Sequence, residues 1–247
     1  MRAGTLAEAI ELQNAVPFGL TGGLHSLNDT EIRTWLDRVQ VGNAYINRQI
    51  TGAVVRRQPF GGWKASTVGP GAKAGGPNYV SQLGTWQDAD VPSDDEGWLE
   101  WARADDRRVW AAELSREHDP SGLTVESNVF RYRPVPHLTI RVAGGARERD
   151  VRRVAHAASV AGVPTTVSRH HDEPDDAFAG RVRDGRLTGR IRVVGGCDGL
   201  RAAARNRVGD VTALDGPVLA SGRRELLTVV REQLVSRVRH RYGYVAD

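Results

Sequence analysis

Six glycines, Gly61, Gly62, Gly69, Gly71, Gly75 and Gly76, crowd the second half of residues 42–77, GNAYINRQITGAVVRRQPFGGWKASTVGPGAKAGGP. Without a Cβ these positions tolerate positive φ and let a ligand come close to the backbone. AYINR and ITGAVV, in the same run, read as short extended segments, with Ile50, Val54 and Val55 supplying β-branched bulk. A strand that runs into such a turn suits a place where a small molecule meets backbone N–H groups. Other reactive residue types carry less. Cys197, in GGCDGL, is the chain's one cysteine and reads as a small buried or loop thiol rather than a nucleophile. His170, His171, Asp172 and Glu173 are adjacent, point different ways and lack the i, i+4 spacing of a helical zinc pair, so they read as a solvated loop. Asp175 and Asp176 read as acids at a helix N-terminus. His25 and Ser26 have no acid that can be placed beside them and read as structural, Lys64 reads as an exposed lysine, and His240 as a cation ending a helix. No catalytic residue and no metal site is assigned.

The elements around the run are legible. Thr5 with Glu8 forms a capping box for a helix whose face carries Leu6, Ala9, Ile10 and Gln13 and which ends before Pro17. GLTGGLHS reads as extended. Asn28 and Glu31 cap a second helix with Ile32, Trp35, Leu36 and Val39 on one face, closed by Gly42. Asn47 and Arg48 read as fixing the turn after it. This helix–strand alternation belongs to an α/β layer architecture. After Trp86, QDADVPSDDEG is acidic and aperiodic and reads as a linker or surface crossing. A helix carrying Trp98, Trp101 and Trp110 follows, and SNVFRYRPVPHLTIRV gives two extended runs about Pro134 and Pro136. LTIRV, PTTVS, RIRVV and VTALD then alternate with helices at about 148–161, 175–183 and 200–206, which predicts a parallel sheet with Rossmann-like winding. GRRELLTVVREQLVSRVRHRYG reads as a closing helix with Leu227, Val230, Leu234 and Val238 as its stripe. The expected division is 1–90, a linker and helix at 91–121, and a Rossmann-like part at 122–247.

Composition sets outer limits. At 247 residues, with 40% apolar and 26% charged residues, the chain reads as a soluble globular protein with one or two cores. No run of about 18 apolar residues suggests a membrane span, and no charged-then-apolar leader suggests secretion. One cysteine excludes an internal disulfide framework and suits a reducing cytoplasm. The net charge of +4 invites a nucleic-acid reading. Lys64 and Lys73 are the only lysines, however, and the arginines are interleaved with acids, which points to codon bias rather than a basic binding face.

GNAYINR, TGAVV, QPFGGWKAS and KAGGPNY resemble the C-terminal end of the catalytic domain of the aldehyde dehydrogenase superfamily. TGAVV and KAGGPNY narrow the resemblance to the L-glutamate γ-semialdehyde (pyrroline-carboxylate) dehydrogenase module of bifunctional proline-utilisation proteins. It extends through LAEAIELQNAVPFGLTGGLHS and so covers residues 1 to about 86. The resemblance implies that Gly52 and Ala53 anchor the substrate's α-carboxylate and that Phe60 lines the aliphatic part of the aldehyde. It implies NAD as cofactor of the complete enzyme, with the nucleophilic Cys, the general-base Glu and the nucleotide domain all upstream of this segment. ESNVFRYRP and REQLVSRVRHRYG resemble the extra C-terminal domain of long proline-utilisation proteins, which implies a degenerate nucleotide domain that assists assembly and covers a tunnel. Gly144 and Gly145 do not complete a G-x-G-x-x-G motif, so no cofactor is expected to bind this chain alone. Met1 then reads as an internal family position. The expected partners are the missing N-terminal dehydrogenase portion or a proline dehydrogenase, with homo-oligomers possible and neither nucleic acid nor membrane involved. Three functions stay open: a dehydrogenase segment inactive alone, a non-catalytic assembly or tunnel-covering module complementing an upstream polypeptide, and a nucleotide binder at the LTIRVAGG turn. Residues 1–90 alone are expected to expose unpaired strand edges and associate.

Overall fold

Residues 2–241 and 244–245 are described in a computed structural model of the chain. The capping signals act as read. Thr5 Oγ1 accepts from the Glu8 N–H at 3.2 Å, and the Glu8 carboxylate accepts from the Gly4 N–H at 2.6 Å, opening α1 (Leu6–Asn14). Two short strands follow, β1 (Phe18–Gly19) and β2 (Thr21–Leu24). The Asn28 side chain accepts from the N–H groups of Thr30 and Glu31 to start α2 (Asp29–Arg38), which buries Ile32 and Trp35. β3 (Asn43–Ile46) is buried along its whole length, and β4 (Trp63–Lys64) pairs back onto β1. ITGAVV forms no strand. It is a loop closed by a single bridge between Val54 and Gln58.

Beyond a 3-10 turn at Val80–Leu83, α3 (Asp95–Val109) continues into a wider helical turn, Trp110–Leu114. The acidic crossing before α3 is docked, because Asp88 accepts from Trp98 Nε1 at 2.8 Å and from the Ala220 N–H at 2.9 Å. β5 (Glu126–Pro134) and β6 (Leu138–Val142) follow. Then come α4 (Glu148–Val160), β7 (Thr165–Arg169), α5 (Asp175–Arg183), β8 (Gly189–Val194), α6 (Leu200–Arg205) and β9 (Val211–Leu214). Strands β6 to β9 form a wholly parallel sheet in the order β7-β6-β8-β9. Among the described residues no helix is long and apolar enough to cross a membrane.

The closing segment differs from its expectation. Only α7 (Gly222–Glu225) and a turn at Leu226–Thr228 are helical. The rest is β10 (Val230–Val238), followed by the short pair β11 (His240–Arg241) and β12 (Tyr244–Val245). His240 therefore lies in a strand and does not end a helix. Gly243, at the end of the expected helix, is outside the described residues. The 3.6-residue stripe was misleading because β10 is a central strand. It is buried on both faces from Glu232 to Ser236, so it shows no alternation.

β10 runs parallel to β3, pairing Leu234 with Asn43, and antiparallel to β5, pairing Leu234 with Phe130. The resulting sheet, β2-β3-β10-β5, draws strands from both sides of the division expected at residue 122. β3 thus has a partner on each side within the intact chain. One apolar cluster unites Phe130 and Val230 of this sheet with Ile140 of the parallel sheet and Val154 of α4. A second, under α1 and α2, packs Ile10 and Trp35 on Ala44 and Val235.

Leu234 is fully buried between β3 and β5. Leu234→Ala is expected to cost about 2–5 kcal/mol in urea unfolding. It should also raise amide exchange in residues 43–60, far away in sequence. A cost under about 1 kcal/mol would show that strand insertion contributes little.

Candidate functional site

The glycine-rich run packs down on β3. A Cβ on Gly42 would collide with the Gly61 carbonyl, so the approach requires glycine there. Asn47, with φ of 55°, ends β3. Its side chain accepts from the Ser26 N–H and donates to the Ser26 carbonyl, each at 2.9 Å, so it fixes the turn. The Tyr45 hydroxyl donates to the Gly52 carbonyl at 2.9 Å. Gly52 has φ of 119°, which any L side chain would strain. Gly52 and Ala53 are exposed at this turn. Phe60 is half-buried and bridges Ala74 in an antiparallel pair.

The loop is clamped by strands from the far end of the chain. Glu126 of β5 receives Arg48 at 2.8 Å, Arg57 at 2.9 Å and Gln58 Nε2 at 2.8 Å. Arg48 also donates to Ser236 Oγ of β10 at 2.6 Å, and Gln58 donates to Asn128 Oδ1 at 3.1 Å. Burial pushes the Glu126 carboxyl up, but Asn128, Arg57 and the Arg48 charge together hold it below the usual range. A second buried network lies beneath the later glycines. Lys73, 1% exposed, donates through Nζ to Asn43 Oδ1 at 2.9 Å and to the Gly61 carbonyl. The Lys73 N–H and Asn78 Nδ2 each reach the Glu232 carboxylate of β10 at 2.7 Å. Asn78 also donates to the Tyr132 hydroxyl at 3.0 Å, and Arg223 donates to Asn78 Oδ1 at 2.6 Å. Burial pushes the Lys73 ammonium down to about 7 against the opposing pull of Glu232. Burial likewise raises the Glu232 carboxyl. Sequence reading missed Glu126, Asn128, Glu232 and Ser236, because their partners lie far away along the chain.

The remaining candidates are placed as follows. Lys64 is not a free surface lysine. Its Nζ donates to the Asn14 carbonyl at 2.5 Å and to the Val16 carbonyl at 3.1 Å, holding the C-terminal end of α1. Ser26 Oγ donates to Glu31 at 2.6 Å at the start of α2, and His25 is exposed. In the parallel sheet β6 and β8 are neighbours whose crossovers leave in opposite directions, the arrangement whose carboxyl-end crevice commonly takes a ligand. That crevice is filled by ion pairs. Buried Arg141 reaches Asp175 at 2.5 Å and Ser168 at 2.7 Å, and His170 Nδ1 lies 3.2 Å from Asp175. Burial pushes the Asp175 carboxyl up, but Arg141, His170 and the Asp198 N–H outweigh it and hold the group at about 2. The first turn of α4, after Gly144 and Gly145, carries Glu148 and Asp150, charges that oppose a phosphate. Cys197 is half-buried, and burial followed by the Asp175 charge pushes its thiol up to about 11, away from thiolate chemistry. His171 sits 3.3 Å from Asp172, and Glu173 pairs with Arg181 at 3.1 Å. Among the described residues no group of three or more His, Cys, Asp or Glu is set to hold a metal.

The Lys73 shift fixes a pH dependence. Its folded value of about 7 lies below the ordinary 10.5, so between those values the unfolded chain binds the extra proton. Stability from this group therefore rises from about pH 7 toward pH 10.5. The unfolding free energy of Lys73→Met should lack that rise. Parallel wild-type and variant curves between pH 7 and 10 would sink the assignment.

Residues 1–87 match the aldehyde dehydrogenase family. The chain is 31% identical over 211 residues to the bifunctional protein PutA of Rhizobium meliloti, covering 83% of this chain and 15% of that protein. It is 41% identical over 80 residues to the 1-pyrroline-5-carboxylate dehydrogenase of Bacillus licheniformis, covering 32% of this chain and 15% of that one. A solved structure, Proline Utilization A (PutA) from Corynebacterium freiburgense, superposes with a TM-score of 0.82 at 45% identity, over 99% of this chain and 25% of its own. The chain thus spans a quarter or less of the length of these three relatives. Its first 87 residues carry an aldehyde dehydrogenase family segment, and its whole length shares an α/β fold with part of a proline utilization protein.

Proposed function

We propose that this chain forms the carboxylate-anchoring end of an NAD-dependent L-glutamate γ-semialdehyde dehydrogenase, acting in the breakdown of proline to glutamate. The observation that carries the reading is the clamped loop at Gly52, which lies within the residues that match the aldehyde dehydrogenase family. At that turn the backbone of Gly52 and Ala53 is exposed, and its N–H groups can donate charge-assisted bonds to an α-carboxylate. Tyr45, Arg48 and Glu126 hold the turn in place, so less ordering entropy is lost on binding. Phe60 packs beside the aliphatic part of the aldehyde.

The chain's own residues do not fit the dinucleotide. The β6/β8 crevice holds the Arg141–Asp175 pair, and the first turn of α4 carries Glu148 and Asp150, charges unfavourable to a pyrophosphate. Nor does Cys197, with its raised thiol, fit the nucleophile. NAD binding and the attacking thiolate therefore belong to residues outside these 247, in a cytoplasmic assembly that also accommodates a proline dehydrogenase partner or further copies of the chain. The second reading is a non-catalytic module that completes or covers an upstream polypeptide. It is favoured by the β2-β3-β10-β5 sheet, in which strands far apart along the chain complete one another.

The test is NAD reduction with glutamate semialdehyde, by the chain alone and mixed with a polypeptide carrying the family's nucleophile and nucleotide domain. The mixture alone should be active, and Gly52→Val should lower its kcat/KM by about tenfold or more, since charge-assisted bonds are lost. Full activity with Gly52→Val would leave only the covering role. Activity of the isolated chain would overturn both readings.

A further inference from the structure

Three basic side chains, Lys64, Arg190 and Arg231, share one cavity, and among the described residues none of them has a carboxylate partner. The cavity, of about 360 Å³, opens between the glycine-rich loop and the amino ends of β6, β8 and β9. Lys64, Arg190 and Arg231 line it, with Trp63, His137 and Asp210. Asp210 is already held by Arg207 at 2.9 Å. Arg190 is 8% exposed, and its bond within the chain goes to a neutral acceptor, the Thr228 carbonyl at 3.0 Å. The Arg231 guanidinium lies 4.3 Å from the centre of the Trp63 ring, and its Nε is buried with no hydrogen-bond partner among the described residues. Lys64 is bonded to the carbonyls of Asn14 and Val16 and, among the described residues, to no acid.

Charges removed from water are normally paired, because desolvation without a counter-charge is costly. Three other buried arginines obey that rule. Buried Arg141, Arg153 and Arg192 face Asp175, Asp106 and Glu225. At the cavity buried Arg190 departs from it, with half-buried Arg231 and Lys64 beside it. Burial and then the Arg231 charge push Arg190 down to about 10, and the Arg231 charge also lowers Lys64 after burial. Arg190 and Arg231, the latter pushed down by burial to about 10 as well, remain cationic near neutrality and repel one another. The walls add neutral donors, the hydroxyls of Thr67, Thr188 and Thr212.

We propose that this cavity binds a small phosphate-bearing anion, held between Arg190, Arg231 and Lys64. Two guanidiniums and an ammonium approaching from separate elements suit a tetrahedral dianion better than a planar monocarboxylate. The volume leaves room for a small organic group beside the phosphate. This site is separate from the Gly52 turn and stands whether or not that turn anchors a substrate.

The experiment titrates the purified full chain with inorganic phosphate and with glycerol phosphate, at ionic strength fixed with sodium chloride, and with acetate as control. The readouts are the melting temperature and the NMR signal of the Trp63 indole N–H, which sits under Arg231 and is assigned with Trp63→Phe. Phosphate should shift both saturably while acetate and chloride do not. Tighter binding of glycerol phosphate would place its organic group in the cavity, and equal binding would make the ion itself the ligand. Arg190→Gln and Arg231→Gln should each weaken phosphate binding by about tenfold or more. Both should melt no lower than wild type in phosphate-free buffer, because each relieves repulsion. Arg190→Lys and Arg231→Lys keep the charge and should lose less affinity. An equal response to acetate, unchanged binding by the Gln variants, or their failure to fold without phosphate would each overturn the proposal.

Discussion

The insertion of β10 between β3 and β5 is the constraint on which the rest of the molecule depends. The strand joins the two ends of the chain through backbone bonds on both of its sides. Its inward polar residues then do the positioning. Glu232 receives Asn78 and the Lys73 N–H, Ser236 receives Arg48, and Gln233 donates to the Val41 carbonyl at 3.0 Å. A loop with this much glycine has high conformational entropy, and local sequence cannot hold it in one shape. Long-range polar contacts supply the order instead, at the cost of closing most of the chain into one loop. Such a topology places the final pairing late in folding, after the intervening βα units are formed.

The same logic of distant pairing governs the helices. Asp106 of α3 takes both terminal nitrogens of Arg153 of α4, at 2.7 and 2.8 Å, and His156 Nδ1 at 2.8 Å. Arg153 Nε also donates to the Leu219 carbonyl at 2.9 Å. Arg192 of β8 meets Glu225 of α7 at 2.8 Å and donates to the carbonyls of Gly216 and Pro217 at 2.7 and 2.9 Å. These pairs add little net stability over apolar packing of the same volume. Breaking one strands a buried charge, so they specify which helix faces which and hold α7 in place ahead of β10. The arginine-rich composition that reads as codon bias has therefore been turned to internal use.

Much of this was legible in the residues. Thr5 and Asn28 cap their helices as their spacing says, and LTIRV, PTTVS, RIRVV and VTALD became a parallel sheet. Gly52 lies inside ITGAVV, which reads as extended, whereas that segment is a loop closed by one bridge. What stayed hidden shares one cause. VREQLVSRV carries Glu, Gln, Ser and Arg, which read as the polar side of a helix. In the fold three of them are buried and satisfied by partners from residues 41 to 128. A polar residue reveals nothing local about a distant partner, so periodicity fails where a central strand carries a polar network. Lys64 was hidden in the same way, its carbonyl partners lying on the far side of β2 and β3.

The parallel sheet raises a question of purpose that charge answers in part. Its order and winding are those of a nucleotide-binding sheet, yet the crevice between β6 and β8 holds Arg141 paired with Asp175, and α4 opens with acids. A phosphate brought there would meet Glu148 and Asp150 and would have to compete with an existing ion pair. What the sheet does physically is connect. β5 leads directly into β6 through Val135–His137, and α7 leads into β10, so one apolar cluster runs from Ile140 to Phe130 and Val230. Phe130 and Val230 of that cluster share β5 and β10 with Glu126 and Ser236, which accept from Arg48, so the cluster is tied through the strands to the turn at Gly52.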